Sequence, residues 1–204
     1  MVMKKNVFLA GLLIIFMSLA FSAFRTPFPP SNTGNLSVAN DSLKQDLHQI
    51  GQSIVKEGFK VLGSQLRQAI EKGGVPYALS FCNVKALPLT DSVARKHQIR
   101  LKRVSDKNRN PENAANEQEL LVMELMRKAG TGKKMEMTLY DENGTATYYA
   151  PIILGAPCLQ CHGTPGSNIT DENMGIIKKL YPDDKATGYN QGELRGLWVV
   201  RFEK

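Results

Sequence analysis

Five consecutive residues in the last third of the chain, Cys158 to His162 (CLQCH), constrain this protein more than any other feature. Two thiols one turn apart can add across the two vinyl groups of a haem, and the histidine that follows then lies where it can ligate the iron. Pro157 stiffens the chain before the motif, and Gly163 begins a turn after it. The spacing therefore predicts covalent attachment of one haem c.

Three other interpretations of the motif stay open at this point. A thioredoxin-like redox pair needs a helix that continues past the second cysteine, and the glycines and proline at residues 163–166 oppose one. A structural zinc ion could take four ligands from Cys82, Cys158, Cys161 and His162. Adjacent Cys161 and His162 fit one tetrahedral ion poorly, however. The third alternative is a chance match.

Residues 1–24 are typical of a secretory signal peptide. Lys4 and Lys5 precede an apolar run from Val7 to Phe24. No clean cleavage site follows, and a run of about 18 residues is near the lower limit for crossing a bilayer, so an uncleaved anchor is the alternative. Either case predicts a periplasmic or otherwise extracytoplasmic protein, which is where haem c is normally attached.

The composition predicts one domain behind a short linker. Residues 25–40 are rich in Pro, Ser, Asn and Gly and are predicted to form the linker, and residues 41–204 are enough for one domain with a core. The net charge of +7 falls to +5 without the signal. That excess is too small and too scattered to indicate nucleic-acid binding, so we expect at most a weak preference for acidic partners.

Periodicity and turn residues predict helices first and antiparallel strands later, which is an α+β pattern without βαβ units. An Asn-Gly turn at residues 143–144 predicts a hairpin, and Leu121, Leu125 and Met126 are predicted to face the core. The predicted helices cover residues 41–72, 76–97, 117–129 and 171–180, and the predicted strands cover 99–105, 134–140, 145–153 and 194–202.

Cys82 is an odd cysteine, because haem attachment uses only Cys158 and Cys161. It could be a small buried apolar residue, as free cysteine often is, or a thiolate ligand on the sixth position of the iron. A catalytic nucleophile is disfavoured because no motif with an orienting Asn or Asp accompanies it. We therefore expect no enzyme activity.

Several short stretches resemble, in order, one known family. They are 103–105 (RVS), 109–113 (RNPEN), Glu119, 157–163 (PCLQCHG) and 192–196 (GELRG). The family is the periplasmic c-type haem domain with a PAS-like fold, first catalogued as a domain of unknown function. It occurs alone and as the sensor part of bacterial kinases and chemoreceptors. The resemblance covers about residues 42–204, and Ala115 departs from a proline that the family often has.

This resemblance implies a PAS-like antiparallel sheet of about five strands with flanking helices and one covalent haem c. His162 would be one axial ligand and Cys82 the other, with His97, a methionine or water as the remaining candidates for the sixth position. We also expect Arg103, Arg109 and Arg195 to surround the haem edge, since an arginine fork matches a propionate carboxylate.

Two functions are compatible with a haem of this kind. One is a redox or diatomic-gas sensor, in which a change at iron (binding of CO or NO, for example) loosens the Cys82 bond. The other is a monohaem c-type cytochrome that carries electrons. The redox or signalling partner protein, the gas, the midpoint potential and the oligomeric state do not follow from the sequence.

Overall fold

The computed structural model describes residues 33–130 and 135–203, with side chains from residue 42 onward. Its four α-helices are α1 (Thr33–His97), α2 (Glu117–Ala129), α3 (Leu159–His162) and α4 (Asp171–Leu180). Its four strands are β1 (Arg100–Val104), β2 (Met137–Tyr140), β3 (Ala146–Ile153) and β4 (Leu194–Arg201). Two short 3-10 helices cover Pro111–Asn113 and Ala156–Cys158. The predicted α+β class is confirmed.

Helix α1 is two helices joined at a sharp kink. The backbone leaves helical geometry only at Gly73 and Gly74, and Gly74 has φ 68° and ψ −168°, a conformation that is accessible essentially to glycine alone. The predicted break between two helices therefore lies where the sequence placed it. The first half begins at Thr33, however, which is earlier than the predicted cap near residue 40.

The four strands form one antiparallel sheet in the order β1-β4-β3-β2. Strands β2 and β3 are the predicted hairpin, and its turn is closed by hydrogen bonds from Gly144 N to Asp141 O (2.8 Å) and from Thr145 N to Asp141 Oδ1 (2.8 Å). Strands β2, β3 and β4 form a meander, and β1 pairs with β4 at the edge of the sheet opposite β2. The described residues supply four of the about five strands expected.

Alternate residues of β4 pack into two hydrophobic clusters, one on each face of the sheet, because successive side chains of a strand point to opposite faces. Trp198 and Val200 pack with Ile54 and Val55 of α1 on one face. The other face packs against α2, and Leu197 and Val199 belong to that cluster. A smaller third cluster joins the second half of α1 to α4.

The predicted inner face of α2 is confirmed for Met126 but wrong for Leu121 and Leu125, because the helix is rotated from the expected orientation. Leu121 and Leu125 are 63% and 53% exposed, whereas Val122, Met123 and Met126 are buried. The cause is Glu119, whose carboxylate caps Asn116 N (2.9 Å) and pairs with Lys102 (2.6 Å) on the neighbouring strand. Burying this acidic residue turns the two leucines toward solvent.

Among the residues described, no helix combines the length and the hydropathy needed to cross a membrane. The predicted signal or anchor (residues 1–24) and the first part of the predicted linker lie outside the described residues.

Candidate haem cavity

One cavity of about 410 Å³ lies between α1, the sheet and the segment that carries the CLQCH motif, and this volume is within the usual range of ligand and cofactor pockets. All seven residues singled out in the sequence border it. They are Cys82, Arg103, Arg109, Cys158, Cys161, His162 and Arg195. Residues far apart in the chain therefore meet at one place.

Both halves of α1 supply the apolar wall of this cavity. Phe59, Leu62, Leu66 and Ile70 come from the first half, and Val75, Ala78, Leu79, Ala86 and Leu87 come from the second. The kink at Gly73 and Gly74 makes this possible, because a straight helix could not turn two of its segments toward one space. The same wall continues with Phe59 and Trp198 of β4. Their rings pack edge to face, with ring centroids 5.3 Å apart.

The motif itself forms a single tight turn. The 3-10 helix that ends at Cys158 leads directly into α3, which ends at His162. Gly163 is buried, and a Cβ there would meet Asn168 Cβ at 2.5 Å and the Leu159 carbonyl at 2.7 Å. Only glycine fits at this position, so the chain leaves the turn immediately after the histidine.

The His162 ring is oriented by a backbone carbonyl. Its Nδ1 donates to Ala186 O at 2.8 Å, which leaves Nε2 as the nitrogen with a free lone pair. Burial, and then the cations Arg109 and Arg195, hold the pKa of His162 well below its usual value. The imidazole is therefore neutral at neutral pH, which is the form that binds a metal ion.

All three cysteines are free thiols that border the cavity. Burial raises the pKa of Cys161 to about 11, against the opposing effect of Arg109. Burial also raises the pKa of Cys82, while Arg103 and Arg109 act in the opposite direction. Both thiols are therefore protonated near neutral pH unless a metal ion or a covalent bond takes the place of the proton.

Arg103 and Arg195 are half-buried cations at the cavity, and Nη1 of Arg195 donates to Lys107 O at 2.9 Å. Their Nε atoms are buried without a hydrogen-bond partner, and within the described part of the chain neither guanidinium forms an ion pair. Burial lowers the pKa of both residues. Buried charge of this kind is costly unless something compensates it. The two arginines thus fit a bound group that carries carboxylates.

Arg109 borders the same cavity but is already paired. Its Nε and Nη2 donate to Asp184 Oδ1 and Oδ2 at 3.0 and 3.2 Å, and Nη2 also donates to Cys161 O at 2.6 Å. Its position agrees with the sequence prediction, but its main electrostatic partner is Asp184 rather than open cavity. The sequence reasoning missed Asp184, since an aspartate in a Tyr-Pro-Asp-Asp turn carries no signal of its distant partner.

Other candidates for the sixth position lie elsewhere. His97 bonds Glu57 at 2.8 Å, and neither it nor any methionine in residues 42–130 and 135–203 borders the cavity. Within the same residues, no group of three or more His, Cys, Asp or Glu side chains is placed to hold a metal ion. The four-ligand zinc alternative therefore has no support in this geometry, whereas Cys82 borders the cavity together with the motif.

Comparison with known proteins gives one family and one solved structure. The family model described as Tll0287-like matches residues 36–202. The crystal structure of the cyanobacterial heme-protein Tll0287 is similar at 20% sequence identity and a TM-score of 0.58, over 78% of this chain and 94% of that one. No significant match was found among curated proteins. At this identity the structural similarity shows a shared fold.

Proposed function

The chain belongs to the Tll0287-like family, and from that premise we propose that it is an extracytoplasmic haem c protein with histidine and cysteine axial ligands that senses redox state or a diatomic gas. The observation that carries the proposal is the meeting of Cys82 with the CLQCH motif at one apolar cavity, beside Arg103 and Arg195, whose buried Nε atoms have no hydrogen-bond partner among the described residues. When bound, haem supplies an iron that changes oxidation state and takes up small gases.

In this proposal Cys158 and Cys161 hold the haem through thioether bonds, and each thiol hydrogen goes to the vinyl group that it adds to. His162 presents Nε2 to the iron because Ala186 O already takes Nδ1–H. Phe59, Leu62 and Leu66 line one side of the cavity with apolar groups. The chain thus provides attachment, one ligand and an apolar lining.

Cys82 is the proposed second ligand. Burial raises the pKa of its thiol, so the proton leaves only when a metal ion stabilises the thiolate. Arg103 and Arg109 favour the anion as well. Cys82 would hold the iron as a thiolate, and because this anion would be stabilised less by ferrous than by ferric iron, its contact is the one that reduction would loosen.

Arg103 and Arg195 are proposed to neutralise the two haem propionates, since their buried Nε atoms lack partners. Arg109 is placed at the same edge but acts chiefly through Asp184 and Cys161 O.

The sensor role is favoured by where Cys82 lies. It is on α1, whose first half also borders the cavity and leads back toward the N-terminal segment with its predicted signal or anchor. A change at Cys82 would therefore act on that helix and, through it, on a separate signalling protein. The alternative is a monohaem c-type electron carrier with an unidentified redox partner. Neither role requires catalysis by this chain.

The attachment is tested on protein made in a host that attaches haem c. The denatured parent should carry one haem by mass spectrometry, and Cys158→Ala with Cys161→Ala should carry none. Cys82→Ala is the matched control, because it removes a cavity cysteine outside the motif and should keep the covalent haem. Haem that extracts completely from the parent into acidified organic solvent would contradict the proposal.

The two roles separate in a potentiometric titration with and without CO and NO. A gas sensor should bind at least one gas in the reduced state and lose a Cys82-dependent absorption feature, whereas a redox sensor should lose that feature on reduction alone. A carrier should keep the same spectrum and potential with either gas.

A further inference from the structure

Asp184 lies behind the CLQCH segment and makes three of the best-defined polar contacts of the site. Its carboxylate takes a two-bond fork from Arg109, at 3.0 and 3.2 Å, and accepts from Ala186 N at 2.9 Å. Only 5% of its side chain and 11% of the Arg109 side chain are exposed. A buried, bidentate arginine–carboxylate pair is geometrically specific, and its loss is expensive.

The same carboxylate is connected to His162 through one residue, Ala186. Asp184 fixes Ala186 by its N–H, and the Ala186 carbonyl accepts His162 Nδ1–H at 2.8 Å. Arg109 contacts the motif at the residue just before His162, through Cys161 O at 2.6 Å. Two further bonds, Gly188 N to Gly163 O (2.8 Å) and Tyr189 N to His162 O (3.0 Å), keep the loop after Asp184 alongside the motif.

We propose that Asp184, with Arg109, is the positioning residue for the His162 imidazole: it sets the ring's orientation and its Nδ1–H tautomer through Ala186. This inference rests on the proposed function, because the imidazole matters as a ligand only if haem is attached. Partners behind a ligating histidine commonly tune how strongly it binds. Here that partner is the Ala186 carbonyl, which also accepts from Arg109 Nη2 at 3.4 Å, so Asp184 and the Arg109 that it holds together position this carbonyl.

The first test is Asp184→Asn in the holo protein. Asn keeps the size of the side chain but removes its charge, so the fork to Arg109 weakens and a buried cation is left uncompensated near the iron. We expect the ferric–ferrous equilibrium constant to shift at least tenfold toward the ferrous form, or 59 mV upward for one electron. The iron–imidazole band in the resonance Raman spectrum should also weaken or move.

A second pair of variants separates positioning from charge alone. Arg109→Gln combined with Asp184→Asn removes both charges, so a purely electrostatic effect would return to the parent potential, whereas loss of positioning leaves the iron–imidazole band altered. Asp184→Glu keeps the charge and moves the carboxylate by one methylene, so it should alter the band with a smaller shift in potential. This variant also serves if Asp184→Asn yields too little folded protein.

Asp141→Asn is the matched control, since Asp141 also pairs with an arginine, Arg201 at 2.9 Å, but in the hairpin turn away from the cavity. It should leave the band and the potential unchanged. A parent without covalent haem overturns the proposed function. If the parent carries covalent haem but all three Asp184 variants keep its iron–imidazole band, this inference alone is overturned.

Discussion

The segment that carries His162 is held by hydrogen bonds to its neighbours, whereas the turn of α1 that carries Cys82 is held almost wholly by apolar packing. On the first side, the carbonyls of Cys161, His162 and Gly163 and the imidazole itself each have a partner within 3.0 Å. On the second side, Leu79 is buried against α4, and the exposed Asn83 donates from Nδ2 to Leu180 O at 3.3 Å.

This difference indicates which side of the cavity can move when a bound group changes. Hydrogen bonds fix direction as well as distance, so the His162 side has one arrangement. Apolar packing resists loss of contact but allows small sliding motions of a helix. A change at the bound group should therefore be absorbed on the Cys82 side and passed to α1.

The largest effect is expected for Cys82→Ala, which removes the proposed iron ligand on the Cys82 side of the cavity. Loss of a negative thiolate destabilises ferric iron, so the potential should rise by more than 59 mV, a tenfold change in the equilibrium. CO should then bind the reduced protein, and a ligand such as imidazole the oxidised one. A variant with the parent's ferric spectrum and potential would show that Cys82 is only a buried apolar residue.

Gly74→Ala is the next largest, because it strains the kink that places both halves of α1 against the cavity. The observed φ of 68° and ψ of −168° are unfavourable for any side chain, and we expect a loss of about 1–3 kcal/mol in the free energy of unfolding. Urea titration measures it. Gly175→Ala, in regular helix α4 with no atom near the new Cβ, should be neutral or stabilising, and equal losses at both sites would refute the explanation.

Arg103→Gln and Arg195→Gln should each lower the midpoint potential. Removal of a half-buried cation near the iron disfavours the ferrous form and leaves a propionate without its partner. We expect a shift of roughly threefold to tenfold in the redox equilibrium constant for each, or about 30–59 mV for one electron. Arg201→Gln, which breaks an exposed pair with Asp141, is the control. Shifts of the same size in all three variants would remove the special role of the cavity arginines.

The smallest effect belongs to Asn83→Ala, which removes the side-chain hydrogen bond from the Cys82 turn to Leu180 O of α4. Because Asn83 is exposed, the loss should be about 0.5–1 kcal/mol in the free energy of unfolding. Thermal or urea unfolding measures it, with Ser80→Ala as a control that removes only a bond within α1. A loss above 2 kcal/mol would mean that this side is held as firmly as the other.

Local rules predicted the helices, the hairpin and the break in α1 well, because each has a short-range cause. A Gly-Gly pair such as Gly73-Gly74 interrupts a helix in most contexts, and an Asn-Gly pair such as residues 143–144 favours a tight turn in almost any hairpin. The inner face of α2 failed for the opposite reason. Its orientation depends on Glu119 meeting Lys102 of β1, and nothing within the helix sequence records that contact.

The same division applies to the site. The CLQCH spacing by itself determined where a haem can be attached and which histidine follows it, since one turn of chain contains the whole geometry. Only the tertiary structure brought Cys82 and Arg103 to that turn, and only it placed Asp184 against Arg109, 75 positions apart in the chain. Such contacts depend on how the kinked helix and the loop after α4 pack on the sheet. A charged side chain is stable in a buried position only where an opposite charge or a carbonyl group contacts it, and only the packed fold supplies that partner.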